Sequence, residues 1–81
     1  MNELLKAKYY KLISDKDFEH YELVGKLLAE IENKLIHSHY SVPKKELIDT
    51  ANLIKDSEGA VYNELINDIN SGLIYGGSNN G

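Results

Sequence analysis

One amphipathic stripe constrains the fold of this chain more than any other feature. Apolar side chains recur at alternating steps of three and four residues, at Tyr21, Val24, Leu28, Ile31 and Leu35. This spacing places them on one face of an α-helix. An isolated amphipathic helix is only marginally stable in water, so the stripe needs apolar partners from the rest of the chain.

The only proline of the chain ends this long segment. Pro43 follows His39 and Tyr40, and a second apolar-periodic run begins at Leu47. Proline cannot continue a helix, but it is tolerated in a first turn. We therefore expect a long helix over residues 18–39, with Gly25 in its middle either letting another backbone approach closely or simply tolerated. A new helix then follows Ser41 or Val42, with Pro43 in its first turn.

Shorter helices are predicted on both sides of this boundary. The first covers residues 2–13, and Asp15 or Asp17 is the predicted cap of the helix that follows it. Residues 56–59 predict a break with Ser57 as a cap, although one helix over residues 44–71 is the alternative. The last helix is expected to stop at Gly72. The predicted inner positions of the three short helices are Leu4, Leu5, Tyr9 and Leu12, then Leu47, Ile48, Ala51 and Leu53 or Ile54, then Val61 or Tyr62, Leu65, Ile66 and Ile69.

Length and composition fit one small all-α domain. The chain has 81 residues and no cysteine, so helix packing alone must supply the core. We expect a single helical bundle domain over residues 1–75. Residues 76–81 are rich in glycine and asparagine, which predicts a disordered, flexible C-terminal tail.

Charge excludes several classes of function. The net charge is −4, and all nine basic residues are lysine. An acidic chain without arginine is a poor candidate for nucleic-acid binding and for adsorption to an anionic membrane. No signal peptide is indicated at the N-terminus, and no apolar run approaches the length of a membrane-spanning helix. The expected location is the cytoplasm, with no direct membrane insertion.

The sequence predicts no catalytic, metal or cofactor site. His37 and His39 lie two residues apart on a helix, so their rings point in different directions, and His20 is distant in sequence. The acidic pairs Asp15 with Asp17 and Asp56 with Glu58 are expected to be solvated turn residues rather than acid–base pairs. We therefore predict that the protein is not an enzyme.

The C-terminal region supplies the predicted partner-binding residues. Leu73, Ile74 and Tyr75 are three consecutive apolar residues beyond a helix end, so they either fold back onto the bundle or remain exposed for a partner. The six tyrosines of the chain can border a thin core or act as recognition anchors. Tyr62 and Tyr75 are the candidates for recognition, since they lie beside the tail.

The chain resembles the enterocin A immunity family, the immunity proteins for pediocin-like (class IIa) bacteriocins. The resemblance covers nearly the whole chain and consists of helix lengths and a few apolar, tyrosine and proline positions. These are Leu27-Leu28, Ile31 and Leu35, Tyr40 and Pro43, Leu47-Ile48, Tyr62, Glu64-Leu65-Ile66 and Ile69, and Gly72-Leu73 with Tyr75-Gly76.

The resemblance implies an antiparallel four-helix bundle that protects a Gram-positive cell from a bacteriocin. Family members are understood to act from the cytoplasmic side, at the mannose phosphotransferase permease occupied by the bacteriocin. The C-terminal half is thought to select the bacteriocin, which in this chain points to residues 62–75. Membrane association would then occur through the partner.

Two rival interpretations belong to other functional classes. The first is a small acidic helical regulator that binds a cytosolic protein partner. The second is a helix-turn-helix DNA-binding protein with its turn near Tyr40 and Pro43, which the acidic charge disfavours. The sequence leaves the oligomeric state open.

Overall fold

The computed structural model describes residues 1–14 and 16–76 of the chain. Over these residues the chain is helical and contains no strand, which confirms the predicted all-α fold. The elements are α1 Glu3–Lys11, α2 Phe18–His37, α3 Lys44–Ala51, a 3-10 turn Asn52–Ile54, α4 Gly59–Ser71 and α5 Leu73–Gly76. Of the predicted tail, Gly76 is the last residue of α5, and residues 77–81 lie outside the described part.

The four longer helices form an antiparallel bundle. Both α1 and α3 pack against α2 and against α4, which places α2 and α4 on opposite sides of the bundle. Ion pairs join the end of one helix to the start of the next, as between Lys34 of α2 and Glu46 of α3 at 3.1 Å. A hydrogen bond from Lys44 at the start of α3 to the Asn70 carbonyl near the end of α4, at 3.1 Å, shows the same antiparallel arrangement for α3 and α4. The antiparallel four-helix bundle is thereby confirmed.

The stripe of α2 supplies the centre of the core. Val24, Leu28, Ile31 and Leu35 are buried, as is Leu27 beside them. One continuous cluster joins these side chains to buried residues of α1, α3, α4 and α5. The long helix is therefore packed against shorter neighbours, as its spacing requires.

The edge of the same stripe lies closer to solvent. Tyr21 is partly exposed and stacks on Tyr10 of α1, with ring centroids 6.0 Å apart. A Cβ placed on Gly25 would lie 3.2 Å from the Tyr10 hydroxyl. The close neighbour of Gly25 is therefore a tyrosine side chain of α1 and not another backbone, the contact that the sequence suggested as one alternative.

The side chains of α1 that face the core differ in part from the predicted set. Leu4 is 83% exposed, so its prediction as a core residue is wrong. Leu5, Tyr9 and Ile13 are buried, and Leu12 packs against them from the margin. Adjacent helical positions point about 100° apart, and on α1 the buried face includes Leu5 but not Leu4.

Elsewhere the structure decides between predicted alternatives. Ile54 is buried while Leu53 is exposed, and Val61 is buried while Tyr62 lies at the margin. Leu47, Ala51, Leu65 and Ile69 are buried as predicted. Ile48 and Ile66 pack against the core from its edge.

The break before α4 is real, but its cap is not the predicted one. The chain is non-helical before Gly59, so the alternative of one helix over residues 44–71 is wrong. Glu58 occupies the N-cap position without capping through its side chain, and Ser57 is exposed. At the start of α2, by contrast, the Asp17 side chain accepts from the His20 backbone N–H at 3.1 Å. Asp15, the other candidate cap, lies outside the described residues.

The boundary around the proline differs slightly from expectation. Helix α2 ends at His37 because His39 and Tyr40 adopt left-handed backbone conformations, with φ of 55° and 63°. Pro43 is the N-cap residue of α3 rather than a member of its first turn. At the end of α4, Gly72 has a φ of 85°, the left-handed conformation predicted for it.

Matched isoleucine substitutions test where the core lies. Ile69→Val removes a methyl group from a fully buried side chain of α4, so we expect the free energy of unfolding to fall by about 1 kcal/mol. Ile36→Val makes the same change at an exposed position of α2 and should alter stability by less than about 0.5 kcal/mol. Urea denaturation measures both changes, and equal losses would contradict the burial pattern.

Candidate functional site

The four predicted partner-binding residues have different surroundings. Ile74 is fully buried in the core, so in this conformation it is not a surface contact. Tyr75 is half-buried and its hydroxyl donates to the Val42 carbonyl at 2.8 Å, while burial raises the pKa of that hydroxyl. Leu73 remains 49% exposed. The segment after α4 therefore folds back onto the bundle and leaves Leu73 at the surface.

Tyr62 is partly buried and packs against the margin of the core. The Lys55 ammonium lies over its ring, 5.9 Å from the centroid. Such a contact is weak when exposed, and it leaves the rest of the ring available to a partner. Of the four predicted residues, Tyr62 lies on α4 and Leu73 begins α5, while the hydroxyl of Tyr75 fixes α5 to the segment before α3.

The solvent side of α4 is distinctive among the described residues, because none of the exposed residues of the helix itself is charged. The charges that reach it come from other elements, namely Lys55 over the Tyr62 ring and Lys44 at the Asn70 carbonyl. The exposed positions of the helix are Gly59, Ala60, Asn63, Asn67, Asn70 and Ser71. Ile66 and Tyr62 border them on one side. We call Ala60, Asn63, Asn67 and Asn70, with these two flanking residues, the α4 outer face. About a quarter of the chain is charged, so a three-turn surface to which its own helix adds no charge is a distinctive feature.

The two charged residues of α4 are directed at α1 instead. Lys8 donates to Glu64 at 2.9 Å and to Asp68 at 2.7 Å, and the Tyr9 hydroxyl donates to Asp68 at 2.5 Å. Asp68 is buried with these partners. Charged side chains that would otherwise lie in solvent are therefore used to join α4 to α1.

The protonation states of this cluster are fixed by its geometry. Burial, and then the bond to Asp68, raise the pKa of the Tyr9 hydroxyl far above its usual value, so the hydroxyl remains a donor. Burial opposes the charge on Lys8, but its bonds to Asp68 and Glu64 outweigh this effect and raise the Lys8 pKa. Lys8 therefore keeps its positive charge, and its bonds to Asp68 and Glu64 join α1 to α4.

A second buried carboxylate lies at the opposite end of α4. Glu58 is fully buried, and it accepts from the Ser14 backbone N–H at 3.0 Å and from the Ser14 hydroxyl at 3.3 Å. The His20 ring also contacts it through Nδ1. The expectation that Glu58 is a solvated turn residue is therefore wrong, whereas its predicted pair partner Asp56 is exposed.

Glu58 joins three segments of the chain, namely the end of α1, the first turn of α2 and the start of α4. Burial alone would raise the pKa of its carboxyl, but the bonds from Ser14 and His20 outweigh burial and hold the pKa below its usual value. The carboxylate is enclosed, so a substrate has no access to it in this conformation. Its role is to hold the three segments together.

The remaining candidate features are a groove and the surface histidines. A groove of about 480 Å³ runs between α2 and the start of α3, lined by residues such as Lys34, His37 and Pro43. Among residues 1–14 and 16–76, no three His, Asp or Glu side chains cluster closely enough to hold a metal ion. No helix within those ranges combines the length and apolar character that crossing a bilayer requires.

Sequence reasoning missed both buried carboxylates. Glu58 meets partners 44 and 38 residues earlier in the chain, and Asp68 meets partners 60 and 59 residues earlier. Part of the α4 outer face could be predicted from the sequence, because Asn63, Asn67 and Asn70 share one side of a helix. Only the structure shows that Glu64 and Asp68 point away from that side, toward Lys8 of α1.

The Glu58 cluster predicts a dependence of stability on pH. Because the folded-state pKa of Glu58 is lowered, its contribution is complete above the usual value of 4.5 and is lost as the pH falls through the folded pKa. We expect Glu58→Gln to lower the free energy of unfolding by about 1–3 kcal/mol at pH 7. The difference from the wild type should shrink below about pH 4.5, as the wild-type carboxyl also becomes neutral.

The control for this experiment is Asp56→Asn, which removes an exposed carboxylate two residues away. It should change stability by less than about 0.5 kcal/mol at neutral pH. Urea denaturation over a pH series measures all three proteins. A difference between wild type and Glu58→Gln that stays constant with pH would contradict the proposed role of the charge.

Comparisons of the chain with protein-family models, with curated proteins and with solved structures find no match. The functional assignment therefore rests on the residues themselves. Their arrangement is a rigid helical scaffold, clamped by Asp68 and Glu58, that presents an uncharged surface on α4 beside Leu73.

Proposed function

We propose that this chain is a bacteriocin immunity protein. In this proposal it protects a Gram-positive cell from a pediocin-like bacteriocin by binding, from the cytoplasmic side, to the mannose permease complex that the bacteriocin occupies. The function is binding rather than catalysis. The contact surface is the α4 outer face together with Leu73.

The observation that supports this proposal is that α4 places none of its own charged side chains on the α4 outer face. The centres of protein–protein interfaces are depleted in charged residues and enriched in tyrosine. Asn63 and Asn67 offer hydrogen-bond donors and acceptors without the desolvation cost of a charge. Tyr62 and Ile66 add apolar area at the edge. These are the properties expected of a surface that binds another protein.

The location of the partner gives a second reason for an uncharged surface. The cytoplasmic leaflet of a membrane is negatively charged and repels acidic side chains. The chain has a net charge of −4, so most of its surface would approach a membrane complex at an electrostatic cost. The outward positions of α4 add no such repulsion of their own, because Glu64 and Asp68 are directed at Lys8 on α1.

The resemblance to the enterocin A immunity family supports the same region. That resemblance implies that residues 62–75 select the bacteriocin, and these residues contain most of the α4 outer face. Ile74 is excluded from the proposed contact because it is buried. Tyr75 supports the surface indirectly, since its bond to the Val42 carbonyl holds α5 against the segment before α3.

A lysine introduced into the surface tests the proposal. The protein is expressed in a sensitive strain, which is then challenged with a panel of pediocin-like bacteriocins. We expect the wild type to raise the inhibitory concentration of at least one of them. Asn67→Lys should weaken this protection about tenfold or more, because it places an unpaired charge in the centre of the contact.

Asn52→Lys is the matched control. Asn52 is an exposed asparagine in the 3-10 turn, so the substitution makes the same charge change away from α4. It should leave protection unchanged, and thermal unfolding should show both variants folded. Full protection by Asn67→Lys would exclude the α4 outer face. If the wild type protects against no bacteriocin in the panel, immunity is excluded and the regulator of a cytosolic protein becomes the better interpretation.

A substitution at Leu73 tests the end of the surface. Leu73→Asn replaces a half-exposed side chain and should preserve the fold while reducing protection. Truncation after Ser71 is less informative, because it also removes Ile74 from the core. Protection by Leu73→Asn equal to that of the wild type would restrict the contact to α4.

A further inference from the structure

Two lysine ammonium groups border the α4 outer face, one near each end of the helix. The Lys55 ammonium lies 5.9 Å from the centroid of the Tyr62 ring, and the Lys44 ammonium donates to the Asn70 carbonyl at 3.1 Å. Tyr62 and Asn70 are eight residues apart on α4, so the two ammonium groups are separated by about 12 Å along the helix axis.

The surface between these two groups is uncharged. Tyr62, Ile66 and Asn70 follow one another at intervals of four residues, so they lie along one side of α4. Their side chains are an aromatic ring, an aliphatic group and an amide. The α4 outer face is therefore neutral in its middle and has a positive charge at both ends.

The bundle does not pair these two lysines with carboxylates. Both Lys44 and Lys55 are exposed, and among residues 1–14 and 16–76 no ion pair involves either of them. Most other lysines do have carboxylate partners, namely Lys6, Lys8, Lys26, Lys34 and Lys45. Acidic residues outnumber lysines by thirteen to nine, so two unpaired ammonium groups beside one surface are available to external carboxylates.

We propose that the α4 outer face binds a partner segment that is uncharged in its middle and carries two carboxylates about 12 Å apart. One carboxylate lies beside Lys55 and the other beside Lys44, while the neutral middle packs on Ile66. This inference rests on the proposed function, so the segment belongs to the cytoplasmic side of the permease complex. Charges at the rim fix the orientation of the partner, and an uncharged centre loses its water at little cost.

The charge of the chain favours protein carboxylates over lipid phosphates as the ligands of Lys44 and Lys55. Segments that bind an anionic bilayer by charge carry clusters of roughly four to eight basic residues. Here two separate ammonium groups border a neutral surface, on a chain with a net charge of −4. A partner with two matching carboxylates fits this arrangement, whereas a uniformly negative membrane does not.

Charge reversal tests the inference in a sensitive strain treated with a bacteriocin that the wild type counters. Lys44→Glu and Lys55→Glu should each reduce protection about tenfold or more, because each places like charges in contact. Lys44→Arg and Lys55→Arg keep the charge and should retain protection. Lys45→Glu is the matched control, since Lys45 is the exposed neighbour of Lys44 and pairs only with the exposed Asp49. It should protect like the wild type, and thermal unfolding verifies that each variant is folded.

Carbodiimide cross-linking identifies the groups that contact the two lysines. The reagent joins an ammonium group and a carboxylate in direct contact through an amide bond, and it does not couple arginine. In membranes from bacteriocin-treated cells, mass spectrometry should find Lys44 or Lys55 joined to an aspartate or glutamate of the permease. The arginine variants should protect the cell but lose these cross-links.

A vesicle experiment tests the lipid alternative. The wild type and the double variant Lys44→Glu with Lys55→Glu are sedimented with phosphatidylglycerol vesicles at physiological salt. We expect no binding of either protein. Binding of the wild type that the double variant loses would assign the two lysines to lipid phosphates and would overturn the inference.

The remaining outcomes separate this inference from the proposed function. If both charge reversals protect like the wild type while Asn67→Lys does not, the contact surface stands and the acidic partner segment is excluded. A loss with Lys45→Glu as large as that with Lys44→Glu would indicate an effect of net charge and would also overturn the inference. If the wild type counters no bacteriocin in the panel, the proposed function fails and this inference fails with it.

Discussion

The burial of one stripe on α2 is the constraint on which the rest of the structure depends. Val24, Leu28, Ile31 and Leu35 are buried along the longest helix, and no other helix is long enough to cover them alone. Several shorter helices must therefore pack around this stripe. The chain reverses direction between consecutive helices, which produces the antiparallel bundle of α1 to α4. The same requirement explains why α5 turns back at Gly72 and inserts Ile74 into the core. A chain without disulfides depends on this shared apolar contact for its stability.

The buried carboxylates then determine which surfaces remain uncharged. Asp68 and Glu64 bind Lys8, so both charged side chains of α4 are directed toward α1. Glu58 holds the start of the helix to Ser14 and His20. Both ends of α4 are thus fixed from within, and its outward side is left to alanine and asparagine. Rigidity and the absence of charge arise together, and a preordered surface loses less entropy on binding.

The sequence predicts most of the helices, because helix periodicity, Asp17, Pro43 and Gly72 are local signals. It does not resolve which of two adjacent apolar residues faces inward, as Leu4 shows, since that choice depends on partners from other helices. The burial of Glu58 cannot be predicted from its sequence neighbours for the same reason. A surface glutamate and a buried one have the same sequence neighbours, and only the fold brings Ser14 and His20 to the carboxyl. The placement of Ile74 and Leu73 was open because it depends on the path after Gly72.

The α4 outer face is the surface proposed to contact a membrane complex. The most direct test of the proposed recognition surface is photocrosslinking in bacteriocin-treated cells, with a photoreactive side chain at residue 67 and, as a comparison, at residue 52. The account predicts a cross-link to the mannose permease from residue 67 that depends on the bacteriocin, and none from residue 52. A cross-link from residue 52 with none from residue 67 would contradict it.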